Sequence, residues 1–180
     1  MNTVQPIRDK EVIAKFKRVL MKRNKRDYIM FIIGINTGLR ISDILKLRVI
    51  DFKNSHIIIR EQKTNKAKRF YINDMLRKEV MEYVEERGLS EEDFIIKGRG
   101  DKAISRIQAY RILNDVAEGL GIDEIGTHTL RKTFGYWHYK QYNDIELLQT
   151  IFNHSSSSVT LRYIGITQDS MDNSVREFYL

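Results

Sequence analysis

The chain has 180 residues, 42% of them hydrophobic, enough for a domain with a real core. It has no cysteine, which excludes disulfides and cysteine-bound zinc and points to an intracellular, cytoplasmic protein. Its longest apolar run, residues 28–35, is too short to cross a bilayer, and 31 Lys and Arg against 24 Asp and Glu leave a net charge of +7 that suits a polyanion, nucleic acid or an anionic membrane surface.

The predicted elements are mostly helices. Residues 9–23 place Val12, Ile13, Phe16, Val19 and Leu20 on one helical face, with Lys and Arg on the other. Asn24 suits the cap of a second helix, "KRDYIMFIIGINT", which is apolar nearly all round and therefore central. Gly38 suits a left-handed stop, and "SDILKLR" predicts a short helix after it. Over residues 49–72 the pattern turns β-branched and aromatic. Strands are expected near 49–52, 56–61 and 68–72, a three-stranded antiparallel sheet whose last turn is "KTNK". A helix over 74–88 is capped by Asp74 and ended by Gly88, and 93–98 reads as a short extended piece. Helices follow at 105–121, 128–142 and 144–152, then a short one at 157–165 begun by serines. The last stretch offers only Met171, Val175, Phe178, Tyr179 and Leu180 to bury. The expected class is mainly α with a small antiparallel β-sheet (α+β). It forms one domain over 1–180, with a core at about 9–165 and a tail at 166–180.

Three segments are rich in groups that bind or activate a phosphodiester. Arg40 follows the glycine stop in "TGLRISDIL" and opens a short helix, where its donors can reach a phosphate. The hairpin "EQKTNKAKRF" crowds Lys63, Lys66, Lys68 and Arg69 into one turn. That turn is either a solvated edge or a finger onto a DNA backbone. His128 and Arg131 of "HTLR" stand three apart on a predicted helix and share a face, which pairs a proton shuttle with a fixed cation. His56 and His138 read as structural.

The stretch "FNHSSSSVTLRYIG" sets His154, four serines, Arg162 and Tyr163 close together. A phenol is a poor nucleophile at neutral pH, and nearby cations such as Arg40, Arg131 and His154 favour its phenolate. The serines supply a turn and a helix start. No P-loop and no acidic cluster of metal-site type is present, so neither a cofactor nor a metal is expected.

In this order, "TGLRISDILKL", the hairpin lysine, "HTLR" and "NHSSSSVTLRY" resemble the tyrosine recombinases, or phage integrase family, from about residue 9 to 170. The resemblance is to that family's catalytic domain and implies its fold. It implies metal-free DNA cleavage and rejoining, with Arg40 as the first catalytic arginine and Lys63 as the hairpin lysine. His128 and Arg131 would be the HxxR pair, His154 the second histidine and Tyr163 the nucleophile. Tyr163 then forms a 3′-phosphotyrosyl link and releases a 5′-hydroxyl. Lys63 is the implied acid to that oxygen, and His128 the implied proton carrier at Tyr163. Lys66, Lys68, Arg69 and Arg162 are expected on double-stranded DNA, and Arg131→Ala is expected to remove cleavage while sparing the fold. Asn153 stands where the family often has glycine. The family's separate DNA-clamping domain is expected to be absent, the chain being either a fragment or a short protein. The tail ending "VREFYL" implies self-association on DNA, with packing on its own domain as the equal alternative. Association with the nucleoid and no membrane follow from the same resemblance. A DNA-binding regulator without turnover is the alternative function; the complete set of six residues counts against it. A binder of RNA or membrane surfaces explains none of the spacing.

Overall fold

The computed structural model describes residues 4–60, 67–176 and 178–179. Helices dominate it. α1 (Lys10–Arg23) starts where the Asp9 side chain accepts a hydrogen bond from the Glu11 N–H. α2 (Lys25–Thr37) starts in the same way at Asn24, which takes the Arg26 N–H. From Tyr28 to Gly34 every residue of α2 is buried, so the helix is wrapped on all sides. Phe16 of α1 stacks on Phe31 of α2 at 5.3 Å. α2 ends at Gly38 in the left-handed conformation, φ +66°. A side chain there would also run into Phe134 at 2.4 Å. That tight stop delivers the chain into α3 (Ile41–Ile44) with Arg40 at its head.

β1 (His56–Arg60) and β2 (Ala67–Tyr71) pair antiparallel, His56 opposite Tyr71 and Arg60 opposite Ala67. The sheet has two strands where the sequence led us to expect three. Residues Val49–Phe52 form a 3₁₀ turn instead of a strand. Asp51 takes the Arg48 N–H at 2.8 Å, and this local bond curls a segment whose residue types favour extension. The extended piece expected at 93–98 is reduced to two isolated bridges, Arg48 with Phe94 and Lys97 with Ala103.

α4 (Asp74–Arg87) is capped by Asn73, one residue before the expected Asp74, and stops at Gly88. α5 (Arg106–Gly119) follows Ser105, and α6 (Thr127–Tyr142) ends at Asn143 in the left-handed region. α7 (Ile145–Phe152), α8 (Ser157–Tyr163) and α9 (Ile166–Arg176) close the chain. The main core surrounds α2. A second, smaller cluster of Leu148, Phe152 and Ile164 lies beneath α6 to α9 and carries Tyr163 on its edge. Among the described residues no helix is long and apolar enough to cross a membrane.

Candidate active site

Arg131 is the buried centre of the site, 4% exposed. Its Nη1 donates to the Gly38 carbonyl and its Nη2 to the Phe152 carbonyl at 2.9 Å. Those carbonyls close α2 and α7, where helix dipoles present their negative ends. The guanidinium also lies 4.1 Å over the Phe152 ring. One side chain of α6 thus ties α7 to the distant α2. Burial pulls its pKa down to about 10, and Arg40 adds to this, while Tyr163 and Asp43 oppose it. It stays charged at neutral pH. This geometry argues against the expectation that Arg131→Ala spares the fold, because truncation would remove the donor of two carbonyls.

Tyr163, the last residue of α8, is half-buried. Its ring meets those of His154 at 5.0 Å and Phe152 at 5.6 Å, both edge to face. His128 Nδ1 is 3.4 Å from the Tyr163 hydroxyl. Burial raises the phenol above its usual range, and Arg131 and then Arg40 pull it back only in part. The cations gather as expected, yet desolvation outweighs them and the resting residue is a neutral phenol. His128 is suited to take that proton. Desolvation, then Lys132, Arg131, Arg106 and Arg40, lower its pKa and keep the ring neutral.

Arg40 is exposed at the head of α3, with no side-chain hydrogen bond or ion pair among the described residues. It acts on Tyr163, Arg131 and His128 through its charge. His154 follows Asn153, whose left-handed backbone, φ +54°, is one that asparagine tolerates better than most residues. The serine run is ordered by its own bonds. Ser156 caps α8 by taking the Val159 N–H, and Ser157 donates to Gln149 Oε1 at 2.9 Å.

Arg40, His128, Arg131, His154 and Tyr163 therefore come together from four separate segments. Lys63 and Lys66 lie outside the described residues, as does the Lys68 side chain. Arg69 and Arg162 are exposed, Arg162 one residue before Tyr163. His56 packs edge-on against Tyr71 at 5.5 Å, and His138 lies tilted against Phe134 at 5.4 Å.

Two cations escaped the sequence reading. Lys132 is 8% exposed, donates to the Val4 carbonyl at 2.7 Å, and lies 5.2 Å from the Tyr163 ring centre. Its signal was its place four residues after His128 on one helix. Arg106 begins α5, a helix with no acidic residue in its first turn. Arg106 is exposed, and its charge is one of those that lower the His128 pKa. Among the described residues no His, Cys, Asp and Glu cluster has the makings of a metal site.

The Phage integrase family model matches residues 9–169. The chain is 49% identical over 180 residues to the "Probable integrase/recombinase YoeC" of Bacillus subtilis (strain 168), spanning 99% of this chain and 98% of that one. It is 27% identical over 166 residues to the tyrosine recombinase XerA of Thermococcus onnurineus (strain NA1), spanning 90% of this chain but 58% of that protein. The crystal structure of XerA recombinase superposes with a TM-score of 0.75 at 20% identity, over 97% of this chain and 67% of that one. The match across residues 9–169 and the likeness to YoeC along nearly the whole of both chains agree, and the chain belongs to the phage integrase family.

Proposed function

We propose that the protein is a site-specific DNA recombinase that cleaves and rejoins double-stranded DNA through Tyr163, without metal or cofactor. The observation that carries this reading is the surroundings of one phenolic oxygen: His128 Nδ1 at 3.4 Å, with Arg131 and Arg40 acting on the same atom. Tyr163 Oη forms a bond to phosphorus as the bond to the 5′-oxygen breaks. The phenol proton passes to His128 Nδ1, and Lys63 supplies a proton to the departing 5′-oxygen. Arg40, Arg131 and His154 hold the non-bridging oxygens as charge builds on them. The phosphotyrosyl ester keeps the energy of the broken bond, so a 5′-hydroxyl can reverse the steps and rejoin a strand. Lys63 is assigned from its hairpin position in the sequence. Lys66, Lys68, Arg69 and Arg162 are assigned to the DNA backbone. α9 buries none of its own residues and exposes Met171 and Val175, which supports a further proposal that this tail docks on a second copy on DNA.

The test is covalent capture. Wild type is incubated with a library of nicked duplexes of randomised core sequence, and protein-linked DNA is recovered and sequenced. Adducts through a 3′-phosphate, absent with Tyr163→Phe, are expected. DNA retarded in gels with no adduct from any sequence would favour the regulator without turnover.

A further inference from the structure

The helix that carries Tyr163 also carries a group that controls His154. Thr160 is fully buried, 0% exposed, one turn before Tyr163. Its Oγ1 lies 3.0 Å from His154 Nδ1 and 3.2 Å from the Ser156 carbonyl oxygen. A hydroxyl has one proton to give. If it goes to the Ser156 carbonyl, the back-bond of a helical threonine, Oγ1 is left to accept from Nδ1–H and both contacts are hydrogen bonds. If it goes to Nδ1, the hydroxyl oxygen and the carbonyl oxygen face each other in the interior with no proton between them. In a buried spot the arrangement with two bonds wins.

We infer that Thr160 is a positioning residue that fixes His154 as its Nδ1–H tautomer, so that His154 donates from Nε2 to a phosphate oxygen only as an imidazolium. The neutral ring turns a lone pair toward the phosphate and repels it. DNA binding therefore draws a proton onto His154. The second half of this inference rests on the strand-transfer reading; the tautomer does not.

The sign for pH follows. The charged donor is present at low pH and is lost as pH rises through the range where histidine titrates. The His154 ring packs on Tyr163 at 5.0 Å and Phe152 at 5.3 Å, and the charged or titratable groups gathered at Tyr163 are Arg131, His128 and Lys132 of α6 and Arg40 at the head of α3. Arg131, with its pKa at about 10, keeps its charge throughout that range. His128 acts in the opposite sense, since it takes a proton only when neutral, so it shapes the low-pH limb and His154 the high-pH limb.

The experiment has two arms. Long-range proton–nitrogen NMR of the free protein reads the neutral tautomer of His154, assigned by the signals lost in His154→Asn. Nδ1–H is expected, and an Nε2–H ring overturns the inference. In the second arm, adduct formation is followed against pH for wild type, Thr160→Ser and Thr160→Val. Serine retains the hydroxyl and is expected to keep the wild-type profile. Valine frees the neutral ring to protonate at Nε2, so its high-pH limb flattens while its rate below neutrality falls about tenfold. A uniform loss with unchanged profile would mean that Thr160 only packs, and would overturn the proposed control. If wild type forms no adduct at any pH, the strand-transfer reading falls and the NMR arm still decides the tautomer.

Discussion

His138 sits between the rings of Phe134 and Tyr142, at 5.4 and 4.7 Å, and its Nδ1 is buried with no hydrogen-bond partner among the described residues. Burial lowers its pKa against a smaller pull from Asp144, and burial lowers that of His128 as well. The folded state thus binds fewer protons than the unfolded chain just below the usual histidine pKa of about 6.5. Their stability is fully present above that value and is lost as pH falls through the lowered folded values. Melting temperature should drop between pH 7 and pH 5, and His138→Phe should flatten that drop; a variant with the wild-type slope would clear His138 of the effect. Arg131 is a second residue with a measurable double role. Arg131→Ala leaves the Gly38 and Phe152 carbonyls without their donor, at about 2–4 kcal/mol in total. Arg131→Lys keeps the charge and one bond and should fall between. Denaturant unfolding ranks the three proteins, and an alanine variant as stable as wild type would contradict the bridging role.

Helix starts were legible because capping is local: Asn24 and the serines sit next to the N–H groups they satisfy. The 3₁₀ turn at Val49–Phe52 was not, because β-branched residues hid the claim of Asp51 on the Arg48 N–H. How closely two helices approach is equally invisible in a single stretch. Gly135 of α6 is such a case, since a methyl there would come within 2.6 Å of Ile164 Cγ2 and 2.7 Å of Phe152 Cε2. Ile164 follows Tyr163, and the Phe152 carbonyl holds Arg131. Gly135→Ala would push α7 and α8 away from α6 and move the phenol from His128. Overpacking costs about 1–3 kcal/mol, of which better helix propensity returns about 1 kcal/mol. Stability should change by at most about 2 kcal/mol while adduct formation falls at least about tenfold. Undiminished adduct yield would mean that the second cluster does not set the position of Tyr163.

Across the whole molecule the residues of the site come from segments up to 123 positions apart, from Arg40 to Tyr163. Their order along the chain was readable, but their convergence depends on α2, α6 and α7 packing together. The same is true of what ties the two ends of the described chain. Residues 4–8 lie along α6, with Ile7 donating to Thr133 Oγ1 and accepting from the Trp137 indole, both at 2.9 Å. From there Arg8 Nε reaches Asp169 Oδ1 of α9 at 2.9 Å, and its Nη2 reaches the Gly165 carbonyl at 3.5 Å. Gly165 is the joint between the helix of Tyr163 and α9. α9 buries none of its own residues, and this half-exposed ion pair joins the packing of Ile166 on the second cluster in holding it in place. A pair of that exposure is worth about 1 kcal/mol, a factor of about five in a local opening equilibrium. Arg8→Ala should therefore speed amide exchange in residues 166–176 about fivefold and leave α2 and the buried turns of α6 unchanged. Exchange rising equally in α2 would indicate general destabilisation, and unchanged exchange in α9 would show that other contacts hold the helix.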